Sequence, residues 1–156
     1  MNNKSQSLEQ FIHESIPLSR ALGYHIQELT SNRIEVTAPL EPNINHHNAA
    51  FAGSIYSVAA LTAWSLVTHL VNEAQLSAAV VMGKAEIMYK RPILEEIYCS
   101  GNVTASTASE FVLALQGKGR AKIELSIAIG NQSEAVLNAV VFATNIEQAD
   151  KITSSS

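Results

Sequence analysis

Lys122 to Ile129 alternates more strictly than any other stretch of the chain. Ile123, Leu125, Ile127 and Ile129 fall on one side, and Lys122, Glu124, Ser126 and Ala128 on the other. A period of two turns one set toward a core and the other toward water, as in a half-buried strand. Gly130-Asn131-Gln132-Ser133 then reverses the chain, and Glu134 to Thr144 returns as a hairpin partner. Alternation also marks Tyr24 to Leu29 and Arg33 to Ala38, joined by a Ser31-Asn32 turn, with Pro39 and Pro42 closing that pair. Val80 to Tyr89 places Ala85, Ile87 and Tyr89 opposite Lys84, Glu86 and Met88, and Arg91-Pro92 stops it. Ile97 to Thr104 is a further strand, with Cys99, Gly101 and Val103 on one face.

Three segments read as helices. Ser7 with Gln10 forms a capping box that opens a short helix over Leu8 to Ser15. Pro17 interrupts it, and Leu18 to Leu22 adds a turn that Gly23 ends. Thr107 with Glu110 is a second capping box, predicting a helix over Phe111 to Gln116 ended by Gly117. Between the strand pairs lies a different kind of helix. Ile55 to Val71 carries no Asp, Glu, Lys or Arg, and a helix apolar on nearly every side must be surrounded by protein or lipid. No charged residue occurs between Glu41 and Glu73, long enough to span a bilayer. Ser57, Thr62, Ser65, Thr68 and His69 interrupt that stretch, and flanking basic anchors are missing, so no membrane span is expected. Helix, two strands, a long helix and about four more strands make an α+β chain: an antiparallel sheet of five to six strands around one apolar helix.

Composition narrows the class. With 156 residues the chain is most simply one domain (1–156, core about 8–146), with a polar tail from Asn145 to Ser156. Apolar content of 47% and charged content of 15% suit a packed globular protein. A net charge of −4 argues against nucleic-acid binding, which needs a basic face. Cys99 is the sole cysteine, so neither an intrachain disulfide nor a structural zinc spacing exists. The N-terminus lacks an apolar signal core, and a cytoplasmic location is the expectation.

Candidate chemistry gathers where the apolar helix begins. The loop Asn43-Ile44-Asn45-His46-His47-Asn48 empties into Phe51-Ala52-Gly53-Ser54. Gly53 allows close approach of backbone, and a helix N-terminus offers free N–H groups and positive potential to a developing oxyanion. The same residues also suit a plain turn with Ser54 as the helix N-cap. His47 could serve as a general base near neutral pH, and Asn48 could hold water. Asn45, Phe51 and Ser54 are further candidates for binding, and His46 with His47 makes a poor metal pair because sequence neighbours rarely point at one ion. Two basic clusters, Lys90-Arg91 and Lys118, Arg120, Lys122, suit phosphate or acidic contacts as well as solvated strand ends. Tyr56, Trp64 and Cys99 read as packing residues, and Ser57 and Thr62 could approach a bound ligand from the helix.

The Asn/His loop with Phe51-Ala52-Gly53-Ser54 resembles the head of the core helix in hotdog-fold thioesterases and dehydratases. Ile16-Pro17-Leu18, Leu22-Gly23-Tyr24, Tyr89-Lys90-Arg91-Pro92-Ile93, Gly117-Lys118-Gly119-Arg120 and Val140-Val141-Phe142-Ala143 narrow this. Over about residues 8–146 the chain is most similar to the thioesterase domain found alone or fused behind a GNAT-type acetyltransferase, the YiiD C-terminal type. No acetyl-CoA-binding GNAT segment occurs in these residues. The resemblance implies a hotdog fold acting on thioesters of coenzyme A or acyl carrier protein, with no other cofactor and no metal. It also implies a homodimer or tetramer with sites at the subunit boundary, whose substrate contacts would include Arg91, Lys118 and Arg120. Two positions depart from the pattern: Phe51 stands where relatives with His-Gly-Gly place His, and Ala60 where they place an acid. The only Asp is Asp150, in the tail. A hydrolase with His47, Asn48 and Gly53 at its centre is therefore the expectation. Its rivals are a non-catalytic acyl-thioester binder, which the missing acid favours, and a hotdog dehydratase or hydratase, which the missing acid opposes.

Overall fold

The computed structural model describes residues 2–147, so most of the polar tail, including Asp150, lies outside the described residues. Elements follow the order α1 (Asn3–Ser15), α2 (Leu18–Leu22), β1 (His25–Leu29), β2 (Arg33–Ala38), α3 (Ala52–Glu73), β3 (Ala78–Tyr89), β4 (Ile97–Asn102), α4 (Ala105–Lys118), β5 (Arg120–Ile129) and β6 (Ala135–Asn145). The strands form one six-stranded antiparallel sheet in the order β1-β2-β4-β5-β6-β3. This is the expected α+β hotdog architecture: the sheet wraps α3, which packs against β2 through β6.

The β5–β6 hairpin is continuous from Arg120↔Thr144 to Ile129↔Ala135, as the alternation predicts. Its inward set, Ile123, Leu125, Ile127 and Ile129, is buried with Leu137, Ala139 and Val141. β4 and β5 share only three residue pairs, Cys99↔Ile129 to Gly101↔Ile127. The rest of β5 pairs with β6 alone, and α4, between β4 and β5 in the chain, adds Phe111 and Leu115 to the core.

Two helix starts differ from the expectation. The first helix begins at Asn3, with Asn2 as N-cap: its Oδ1 accepts from Lys4 N at 2.6 Å. Ser7 lies inside that helix, its hydroxyl donating to Asn3 O at 2.8 Å. The fourth begins at Ala105, capped by Thr104, whose Oγ1 accepts from Thr107 N at 3.1 Å. It continues through Gly117 to stop at Gly119, whose φ of 71° suits the left-handed C-cap. Runs of Ser and Thr offer several possible caps, and the upstream one extends the helix.

The long helix α3 is, among the described residues, the one helix apolar and long enough to cross a bilayer, and here it is enclosed by protein. Two of its buried hydroxyls bond within the helix: Thr62 donates to Val58 O at 2.7 Å and Ser65 to Leu61 O at 2.6 Å. Ser65 also meets the fully buried Tyr24 hydroxyl at 2.9 Å. Burial pushes the Tyr24 phenol above its ordinary range, and the buried Cys99 thiol up to about 12, so neither ionises near neutral pH.

Candidate active site at the head of the central helix

Asn43 shapes the approach to α3. It is 2% exposed, and its amide donates to Leu22 O and Pro39 O, each at 2.8 Å. Its own carbonyl accepts from Phe51 N at 2.7 Å, so the chain leaves and returns at one point. Between them, Ile44 bridges Ala50, and Asn45 N donates to Ala49 O at 2.8 Å. The Asn45 side-chain oxygen accepts from His47 N at 2.8 Å and Ala49 N at 3.2 Å. Its oxygen is therefore committed to building the loop. Asn48 closes the tip with φ of 61°, a conformation Asn adopts more readily than most residues. The His46 and His47 rings meet at a tilt of 43° with centroids 3.8 Å apart, exposed beside Asn48. The tip, His46 to Asn48, lies three to five residues before Phe51 and joins it through turns and bends.

Ser54 is not the N-cap. Phe51 holds that position with no side-chain cap, which makes Ala52, Gly53 and Ser54 the first helical residues. Ile55 N is the first to bond within the turn, to Phe51 O at 3.0 Å, and the three N–H groups before it have no acceptor among the described residues. Nor is Gly53 needed for a turn, since its φ is not positive. It is needed for space: a Cβ there would sit 2.5 Å from Phe51 Cε1. The Phe51 ring thus lies against the bare Cα while staying largely exposed.

Tyr89 was not singled out by the sequence, although it heads the Tyr89-Lys90-Arg91-Pro92 segment. Its hydroxyl donates to Ala52 O at 2.8 Å, tying the end of β3 to the first turn of α3. Partial burial, with Tyr56 nearby, raises its pKa, so it remains a donor at neutral pH. Arg91 lies at this end of the sheet, its guanidinium donating to Gln132 O at 2.8 Å. Lys118 and Arg120 lie at the other. Arg120 pairs with Thr144 and Tyr89 with Ala135, nine residues apart on β6 or roughly 30 Å. One chain therefore does not bring the two basic clusters together.

From the helix head an apolar trench runs along α3, with β3 on one side and α1–α2 on the other. Its first part has a volume of about 220 Å³ and is lined by Ile16, Leu18, Ser57, Leu61, Trp64 and Met82, among others. Ser57 lines it as a small residue whose hydroxyl is spent on Gly53 O at 2.8 Å. Thr62 faces the buried side and takes no part. No carboxylate lies on α3 before Glu73, at its far end. No group of three or more His, Cys, Asp or Glu side chains is placed to hold a metal ion among the described residues.

Comparison with known proteins points the same way. A protein from Chlorobaculum tepidum described only as of unknown function is 26% identical, with a TM-score of 0.86 over 90% of this chain and 94% of its own. A Shewanella oneidensis protein described as a "putative thioesterase" is also 26% identical, with a TM-score of 0.81 over 93% of this chain and 99% of its own. A Pseudomonas aeruginosa protein described as a "probable thioesterase", at 17% identity and a TM-score of 0.77 over 89% of this chain and 94% of its own, shares the fold. The family described as "Putative thioesterase (yiiD_Cterm)" matches residues 5–144, nearly all that the structure describes. The chain belongs to the yiiD C-terminal thioesterase family.

Proposed function

We propose that the protein hydrolyses acyl thioesters of coenzyme A or acyl carrier protein at the N-terminus of α3. The observation that carries this reading is the set of three unpartnered N–H groups at Ala52, Gly53 and Ser54, heading a 22-residue helix beside an apolar trench. They would receive the thioester oxygen as it gains charge, where the helix end already presents roughly half a positive charge. Water adds to the carbonyl carbon, the C–S bond breaks, and the thiolate takes up a proton. His47 is the candidate base that accepts the proton from water and returns it to sulfur, and Asn48 the group that holds the water.

The outer edge of β3 is unpaired among the described residues. Two copies joined there by a two-fold axis would run antiparallel, setting the partner's far sheet end beside this chain's Tyr89. Lys118 and Arg120 of one copy would then approach the site of the other, alongside Arg91, Phe51 and Asn45, where phosphates or an acidic carrier would lie.

The test is release of free thiol from a graded set of acyl-CoA substrates, with His47→Ala and Asn48→Ala beside the parent. Thiol release that falls at least a hundredfold in His47→Ala supports the assignment. Full activity in both variants refutes these residues while leaving the function intact. Acyl-CoA binding without thiol release would instead establish a non-catalytic binder, the reading favoured by the lack of any acid on α3 before Glu73.

A further inference from the structure

Trp64 divides the trench. On its far side a second cavity of about 230 Å³ continues along α3, lined by Phe11, Thr68, Asn72, Ala78 and Val80 together with the indole itself. Trp64 is fixed in place: its Nε1 donates to Val80 O at 2.8 Å, and its ring stacks on Phe11 with centroids 6.4 Å apart and planes 16° apart. The helix supplies one side of this partition and α1 the other.

The two sides differ in chemistry. On the near side the polar side chains that touch the cavity, Ser19 and Ser57, have their hydroxyls bonded to Ile16 O at 2.7 Å and Gly53 O at 2.8 Å. What remains is dry hydrocarbon surface, suited to an alkyl chain and not to water. On the far side the Asn72 amide lines the cavity, and Thr68 Oγ1 is buried with no partner among the described residues. A methyl terminus pushed past the indole would lie beside the Asn72 amide in place of hydrocarbon.

We propose that the near trench is the acyl-chain slot and that the Trp64–Phe11 pair is its end wall, fixing the longest chain the protein accepts. Gly53 to Trp64 is eleven residues along a helix, roughly 16 Å. Carbon–carbon bonds of ~1.5 Å advance about 1.25 Å per carbon in an extended chain, which sets the limit at roughly twelve carbons. The slot begins one turn from the free N–H groups, so a carbonyl held there would send its chain directly into the trench. The inference rests on the thioesterase reading for its physiological ligand, but the slot itself can be probed without any reaction.

Free fatty acids from hexanoate to hexadecanoate, titrated calorimetrically, supply that probe. Affinity should tighten about fourfold per added methylene and level off near dodecanoate. In Trp64→Ala, which joins the two cavities, the tightening should continue to longer chains. In Ala60→Phe, which fills the near trench from the half-buried side of α3, it should stop at shorter ones. A thermal melt confirms that each variant is folded, and the Ala60 variant decides the matter if the Trp64 variant is not. The same plateau in the parent and in the folded variants overturns the wall. Affinity independent of chain length in the parent overturns the slot, and would mean that a second copy covers the trench. Thiol release from butanoyl-CoA, too short to reach Trp64, is measured separately: its absence sinks the hydrolase reading and leaves the fatty-acid result standing.

Discussion

Replacing Gly53 by Ala separates the chemistry of the helix head from its stability. The added methyl would lie 2.5 Å from Phe51 Cε1 and 2.9 Å from Cζ, so the ring must swing away. It can do so because it is the far end of a flexible side chain and 54% exposed. Backbone strain is absent, since Gly53 has no positive φ. Ala is favoured over Gly in a helix by up to ~1 kcal/mol, and the ring loses contacts of about that size, so the two offset within roughly 1 kcal/mol. For a domain of this size that keeps Tm within about 4 °C of the parent. Activity should behave differently. A methyl group on the surface that receives the thioester carbonyl displaces it from the N–H groups by about the 1 Å that commonly costs a hundredfold. Steady-state thiol release and a thermal melt on the same preparation test both halves. An unchanged kcat/KM would refute the helix head as the oxyanion site, and a Tm loss beyond ~5 °C would refute the claim that Phe51 yields freely.

Three further outcomes follow from the same geometry. Asn43→Ala leaves the Leu22 and Pro39 carbonyls without their donor in a buried place, and urea denaturation should show a loss of roughly 2–4 kcal/mol; a loss below 1 kcal/mol would mean that water replaces the amide. Asn48→Gly should keep the loop, because φ of 61° suits Gly, whereas Asn48→Val should lower stability by about 1–2 kcal/mol; equal melts for the two would contradict the left-handed tip. His69 is buried, and that burial, opposed by Glu73, lowers its pKa from an ordinary 6.5. The unfolded chain therefore binds the extra proton first, so stability is fully present above about pH 6.5 and falls as the solution is acidified below it, by at most ~1.4 kcal/mol per pH unit. Glu73 and Glu35 titrate below their usual 4.5 and act only at lower pH. Urea midpoints that show the same slope across the imidazole range in His69→Gln would exclude this assignment.

Local periodicity was enough for β5, β6 and the paired strands β1 and β2, because each has one wet and one dry face. It also isolated α3, whose lack of charge leaves burial as its only soluble solution. The starts of α1 and α4 were less legible, since Asn2, Ser7, Thr104 and Thr107 are all competent caps and only the folded backbone chooses among them. The position of β3 beyond β6 depends on pairing between residues 46 to 67 apart, which no local pattern encodes. At the site, the value of Gly53 was visible but its reason was not: the need for space under Phe51 appears only once the ring is placed. Tyr89 reads as a strand residue until β3 delivers its hydroxyl to Ala52. Lys118 and Arg120 look like companions of Arg91 in composition, yet the length of β5 sets them at the opposite end.

The sheet order also sets a timetable for synthesis. The apolar α3 is complete at Glu73, but β6, which flanks it and completes the pairing of β3, begins only at Ala135. At roughly 5–20 residues per second, the ribosome needs about 3–12 s to make the sixty-odd residues between them. During that interval β3, β4 and β5 emerge, but until β6 follows them β3 has no partner strand and α3 lacks that part of its cover. A nascent chain halted shortly before Ala135 should therefore be a good client for a holdase chaperone, and one extended past Asn145 a poor one.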